Sequence, residues 1–188
     1  MTIARRVDRD EQGASYGPVD LSALCADVLQ LLRRTFEASI DVDASIAEGL
    51  MVDGEPGALH QLLMNLCINA RDAMPQGGTL TLRAYASAPD EPSEAREPSA
   101  QLVIEVADTG VVMDDKTRAR VFEPFFTPKA KGAGSGLGLA TVYEVATNHG
   151  GLVGVESELG KGSVFRVRLP QGHAARTRDP SLRRELAE

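Results

Sequence analysis

Leu59-His60-Gln61-Leu62-Leu63-Met64-Asn65-Leu66-Cys67-Ile68-Asn69-Ala70-Arg71-Asp72-Ala73-Met74 is the stretch on which the fold turns. Leu59, Leu62, Leu63, Leu66, Ala70 and Ala73 recur at steps of three and four, which makes one apolar stripe along a helix. Asn65 and Asn69 are four apart, so they lie one above the other at the stripe's edge, and Asp72 follows three residues later. Amides in that position can aim carbonyl oxygens into a cleft. Such oxygens suit Mg2+, a hard cation that keeps several waters and shares the rest of its shell with substrate phosphates. The same three residues would also serve as ordinary exposed polar positions. Upstream, Asp53-Gly54-Glu55-Pro56 reads as the helix start, with a capping acid and an early proline; Pro75-Gln76-Gly77-Gly78 reads as its stop.

Working outward, Leu21, Leu24, Cys25, Val28, Leu31 and Leu32 predict a helix over 20–34 with Asp20 as N-cap. Two short strand-like pieces follow at 39–42 and 50–52. Beyond the central helix, 79–86 alternates as a strand and 102–106 is an apolar strand ending near Asp108. A short helix over 114–121 precedes an irregular, Gly-rich stretch. A further helix over 139–148 stops at Gly150-Gly151, and strands at 152–156 and 163–169 close the pattern before Pro170. The organisation is a flexible N-terminal segment at 1–17, one domain over 18–170 with a mobile Pro- and Glu-rich insertion at 87–100, and a charged tail at 171–188. Strands and helices that do not alternate strictly point to an α+β fold, a two-layer α/β sandwich in which helices cover one face of a mixed sheet.

At 188 residues the chain suits one domain with a real core, and the absence of Trp makes that core aliphatic. A net charge of −7 excludes nucleic acid as a bulk electrostatic partner but leaves room for a small anion held by a few well-aimed donors. Cys25 and Cys67 fall within apolar helical patterns without metal-site spacing, as expected for buried reduced thiols of a cytoplasmic protein. No long apolar run or signal-peptide stretch is present, so this segment should make no direct membrane contact, whereas a longer parent protein could still be anchored.

Two further constellations carry chemistry. In Val103-Ile104-Glu105-Val106-Ala107-Asp108-Thr109-Gly110 an acid stands just past a strand end. Its carboxylate can accept from an exocyclic amine such as adenine's, with Gly110 letting backbone approach the ring; a plain Asp-Thr-Gly turn is the alternative. Gly132-Ala133-Gly134-Ser135-Gly136-Leu137-Gly138-Leu139 runs directly into a helical pattern. Exposed N–H groups and a helix start together favour phosphate oxygens, and Lys129 and Lys131 lie just upstream. The stretch matches neither a Walker loop nor G-x-G-x-x-G, and a simple flexible loop is the competing reading. Gly160-Lys161-Gly162-Ser163 reads as a hairpin turn.

In this order, the three constellations resemble the GHKL ATPase superfamily, and histidine kinase catalytic domains in particular, over roughly residues 20–170. Asn65-Leu-Cys-Ile-Asn69 resembles the N box and Asp108-Thr-Gly110 the first glycine box. Phe122-Glu-Pro-Phe-Phe126 resembles the F box, Gly134-Ser-Gly136-Leu-Gly138-Leu139 the second glycine box, and Gly162-Ser163-Val-Phe165 the late strand near the adenine. The resemblance implies an ATP and Mg2+ site. Asn69 would ligate Mg2+, Asn65 would assist through phosphate or water, and Asp108 would read the adenine amine. Lys129 and the Gly134, Ser135, Gly136, Leu137, Gly138 and Leu139 segment would hold the phosphates, and Ser163 would help through water. Asp72, Gly110, Val112 and Met113 complete the implied nucleotide contacts, and Phe122, Phe125 and Phe126 would anchor the hinge of the lid. The implied partners are a histidine-containing dimerisation domain and a response regulator receiver domain.

Position 65 separates the superfamily's activities. Its hydrolases carry a glutamate there, whereas Asn65 has no useful pKa for activating water. That favours transfer to a histidine, with catalysis by positioning and charge neutralisation. A nucleotide-responsive binding module and an ATP hydrolase are the rival readings. The box departs from its Asp-x-Gly-x-Gly pattern at Val112, which would be strained if that site needs positive φ. His60, His149 and His173 are the only histidines, and none lies in a helical hairpin of the acceptor type.

Overall fold

The computed structural model describes residues 16–87, 101–128, 134–158 and 161–172. The 87–100 insertion from residue 88 on, the 1–15 segment, the tail from 173 and Lys129 lie outside the described residues. Among the described residues, seven strands and four helices follow in the order β1 (Gly17–Asp20), α1 (Leu21–Thr35), β2 (Ile40–Ile46), β3 (Met51–Gly54), α2 (Pro56–Ala73), β4 (Gly78–Ser87), β5 (Gln101–Asp108), α3 (Asp115–Arg120), α4 (Gly138–Asn148), β6 (Leu152–Glu158) and β7 (Gly162–Pro170).

The main sheet has the order β2-β4-β5-β7-β6, with β2 parallel to β4 and every other pair antiparallel. It is the expected mixed sheet. Period-2 alternation sends Leu80, Leu82, Leu102, Ile104, Val106, Phe165, Val167 and Leu169 into the core, all essentially without solvent contact. Helices α1, α2 and α4 pack over that face, with α2 between the other two. The opposite face is polar, and Arg166 there ion-pairs with Glu105 and Glu156 while the Tyr85 hydroxyl donates to Glu105.

The structure departs from the sequence-based expectations at several ends. Gly17, assigned to a flexible segment, begins β1, which pairs antiparallel with β3 in a separate two-stranded sheet. In α1 the buried stripe is Leu21, Cys25, Val28, Leu29 and Leu32, so Leu29 replaces Leu31, which is 39% exposed. Steps of four, three, one and three keep that set on one side of the helix, and Leu31 falls a third of a turn away. Asp20 does cap α1, accepting from the Ala23 N–H. The acids before α2 do not cap it. Asp53 belongs to β3, and the cap residue Glu55 makes no side-chain capping bond. Instead, His149 accepts the Glu55 backbone N–H on Nε2 at 3.2 Å while Nδ1 meets the Val145 carbonyl at 2.7 Å. A ring at the end of α4 therefore fixes the start of α2. The core also runs past Pro170, since Gly172 is buried and donates to the Met51 carbonyl at 2.8 Å.

Candidate functional site

The site forms where α2, the end of β5, the 109–114 segment, the start of α4 and β7 meet around a cavity of about 690 Å3. From α2 come Asn65, Asn69 and Asp72, on the helix flank that the Leu62, Leu63 and Leu66 stripe leaves uncovered. Both asparagines are half-buried, and neither amide has a hydrogen-bond partner among the described residues. Their oxygens are thus available to a hard cation, while no group of three His, Cys, Asp or Glu forms a metal cluster among the described residues. A few amide oxygens completed by water and ligand phosphate fit Mg2+ better than a metal that demands an all-protein cage. Asp72 is engaged by Arg71 at 2.8 Å, so it is only partly available to the cavity.

Asp108 ends β5 on the helix-facing side and is 3% exposed. Its Oδ1 accepts the Gly110 N–H at 2.9 Å, whereas Oδ2 is buried on the cavity with no hydrogen-bond partner among the described residues. Burial raises its carboxyl above the ordinary carboxylate range, partly offset by backbone N–H groups of Gly110 and Ser163. A buried acceptor left open is costly in a folded chain, on the order of 1–3 kcal/mol, and a ligand amine would satisfy it. Ser163, 2% exposed, lies beside Asp108 in the β5–β7 register and also faces the cavity.

Gly110 does not line the cavity, contrary to expectation. A Cβ there would stand 2.3 Å from the Ala73 carbonyl, so glycine is needed where the chain crosses the end of α2. The crossing is locked by the Val111 N–H, which donates to the same carbonyl at 2.8 Å. Val112 and Met113 line the cavity. Phe125 is the one non-Gly residue with positive φ among the described residues, so Val112 sits in ordinary backbone and the strain foreseen for it is absent. Its side chain, not its backbone, is what a ligand would meet.

Gly134, Ser135, Gly136, Gly138 and Leu139 also line the cavity, with Gly138 beside Asn65, and Leu137 is 41% exposed. Leu137 caps α4 without a side-chain bond, so the first-turn N–H groups of α4 stay open to an anion. Gly136, at φ 68°, would place a Cβ 2.5 Å from the Phe125 carbonyl carbon. The Phe125 N–H donates to the Gly136 carbonyl at 3.0 Å, which clasps the two ends of the 125–136 segment. Of the three phenylalanines, Phe122 packs edge-on to Phe165, Phe126 lines the cavity under the Arg120 guanidinium, and Phe125 is 76% exposed.

Residues 54–173 match the family model described as histidine kinase-, DNA gyrase B-, and HSP90-like ATPase. The chain belongs to this family. It is 39% identical over 158 residues to the sensor kinase CckA of Brucella abortus, covering 81% of this chain and 17% of that protein. Against the sensor histidine kinase ZraS of Escherichia coli the identity is 33% over 157 residues, 81% of this chain and 30% of that one. The chain therefore spans less than a third of these curated relatives. Among solved structures, the mycobacterial sensor histidine kinase MprB superposes with a TM-score of 0.68 at 27% identity, covering 84% of this chain and 98% of that chain. Full-length ShkA in complex with AMPPNP also gives 0.68, at 31% identity, covering 86% of this chain and 32% of that chain. Most of the chain is thus similar to one segment of sensor histidine kinases.

Proposed function

We propose that this kinase domain binds ATP with Mg2+ in the cavity between α2 and α4 and donates the γ-phosphoryl group to a histidine on a separate dimerisation domain. From that histidine the phosphoryl group would pass to a response regulator receiver domain. The observation that carries the proposal is that an open buried acceptor, Asp108 Oδ2, and two amides unengaged among the described residues, Asn65 and Asn69, line the same cavity. Asp108 would take the adenine amine. Asn69, with Asn65 beside it, would hold Mg2+, which when bound neutralises charge on the phosphates. The first turn of α4 and the Gly134–Gly138 backbone would receive the phosphate oxygens, with Lys129 reaching toward the terminal one.

Asn65 supports transfer over hydrolysis. An amide cannot take a proton from water, so water in the site lacks an activating base, and the acceptor must bring its own nucleophile. The protein's work is then to orient the triphosphate and to exclude water. Incubating the domain with a separate acceptor-helix domain and γ-labelled ATP should place label on that domain's histidine. Steady release of inorganic phosphate without labelled acceptor would overturn the assignment.

A further inference from the structure

Arg120, at the end of α3, does not line the cavity, yet its guanidinium stands 4.4 Å from the ring centroid of Phe126, which does. Glu123 holds that guanidinium. Arg120 Nε donates to Glu123 Oε2 at 2.9 Å, and Nη2 lies 2.9 Å from the same oxygen. The two side chains are 56% and 51% exposed, so the ion pair as such adds little to stability. What it does add is a fixed position for a planar cation over an aromatic ring. The backbone supports the contact. The Glu123 N–H donates to the Arg120 carbonyl at 2.8 Å and the Phe126 N–H to the Glu123 carbonyl at 3.2 Å, so two tight turns bring ring and guanidinium together.

From Phe126 the connection runs on to α4. Phe125, the residue before it, holds φ 66° with its side chain 76% exposed. Left-handed backbone is costly for an aromatic residue and persists only where the neighbours hold it. One holder is Gly136, itself at φ 68°, whose carbonyl accepts the Phe125 N–H at 3.0 Å and which has no room for a Cβ against Phe125. Two residues later Gly138 opens α4, and a Cβ there would stand 3.9 Å from the Asn65 amide. The other holder is Arg120, through the ring next to Phe125. A side chain that fixes Phe126 therefore bears on the strained residue beside it, and through Gly136 on where α4 starts relative to Asn65.

We infer that Arg120 is a positioning residue for phosphoryl transfer. Held by Glu123, its guanidinium clamps the Phe126 ring in the cavity wall, which keeps the Phe125–Gly136 clasp closed and seats the first turn of α4 against the asparagine helix. The inference rests on the proposed reading that the triphosphate runs between that turn and Asn69. Arg120 acts on the placement of the terminal phosphate and touches neither base nor metal. Its loss is therefore felt in the rate of transfer more than in the hold on ATP.

The test is a single-turnover assay of the whole chain with γ-labelled Mg·ATP and a separate acceptor-helix domain, run beside calorimetric titration with Mg·ATP. Arg120→Ala should lower the transfer rate at saturating ATP by roughly fivefold, the upper end of one exposed cation–π contact, and ATP affinity by less than about twofold. Its urea midpoint should stay at the wild-type value, as befits an exposed pair. Glu123→Gln, which loosens the guanidinium without touching the ring, should lower the rate in the same direction. Arg120→Lys keeps the charge but not the planar face and should recover only part of the rate. Phe126→Leu should also slow transfer, and adding Arg120→Ala to it should slow transfer no further. Losses that multiply in the double variant, a loss carried by affinity alone, or full recovery by lysine overturns the role of Arg120. A wild-type chain that labels no acceptor histidine overturns the underlying reading instead.

Discussion

Burial holds the Asp108 carboxyl above the ordinary carboxylate range, so the folded domain binds that proton more tightly than the unfolded chain does. The sign follows directly. In the absence of ligand the charge opposes folding, and this penalty is relieved as pH falls through the raised value toward the ordinary one. A base amine donating to Oδ2 favours the charged form, so ATP binding and protonation compete. ATP affinity should decline on acidification, with the decline setting in at a higher pH than an ordinary carboxyl would give, and Asp108→Asn should flatten it. A flat profile in the wild type, read by titration at each pH, would detach Asp108 from the ligand. Val112 poses a different residue-scale question. With no positive φ to relieve, only its volume at the cavity wall opposes the nucleotide. Val112→Gly should tighten ATP by about tenfold, near the lower end of the roughly 1–3 kcal/mol that a methylene controls in an apolar pocket. Equal affinities would show that the side chain stands clear of the bound base.

Among the elements, α2 and α4 matter most, because one carries the asparagines and the other the open helix start. They are joined at their remote ends by His149, which closes α4 and takes the Glu55 N–H at the start of α2. His149→Ala leaves that donor and the Val145 carbonyl without the ring and should cost about 1–3 kcal/mol in urea unfolding, with an unchanged slope. A loss below about 0.5 kcal/mol would mean that water replaces the imidazole at no cost. No local sequence signal predicted this bond. The helix start at Pro56 was legible from the proline alone, but Asp53 and Glu55 looked like caps because capping chemistry is read locally. The true partner is 94 residues away. The same limit explains β1, a four-residue strand whose only sheet partner among the described residues is β3. It also explains the tight passage of Gly110 over Ala73, which only tertiary contact reveals. By contrast, the long periodic helices and the β5 and β7 strands were readable, since one hydrophobic face per element suffices to define them.

For the whole molecule, the aliphatic core expected from the missing tryptophan is present, and the helices bury Cys25 and Cys67 within it. Desolvation pushes both thiols up to about 12, which leaves them as packing groups with no thiolate chemistry near neutral pH. Most of the site's wall was legible as well, because Asn65, Asn69, Asp108 and the 134–139 glycines each carry a residue type suited to phosphate, metal or base. The contact of Arg120 with Phe126 was not legible. It depends on two tight turns at the end of α3, and an exposed arginine reads as an ordinary solvated residue. Asp108 and Asn69 line one cavity, and both are proposed to serve a single nucleotide there. Calorimetric titration with ATP, with and without Mg2+, tests that proposal for wild type, Asp108→Asn and Asn69→Ala. One site per chain is expected. Asp108→Asn should weaken ATP at least about tenfold whether or not Mg2+ is present, and Asn69→Ala should abolish the gain that Mg2+ confers. Wild-type affinity in both variants, with the same response to Mg2+, would contradict it.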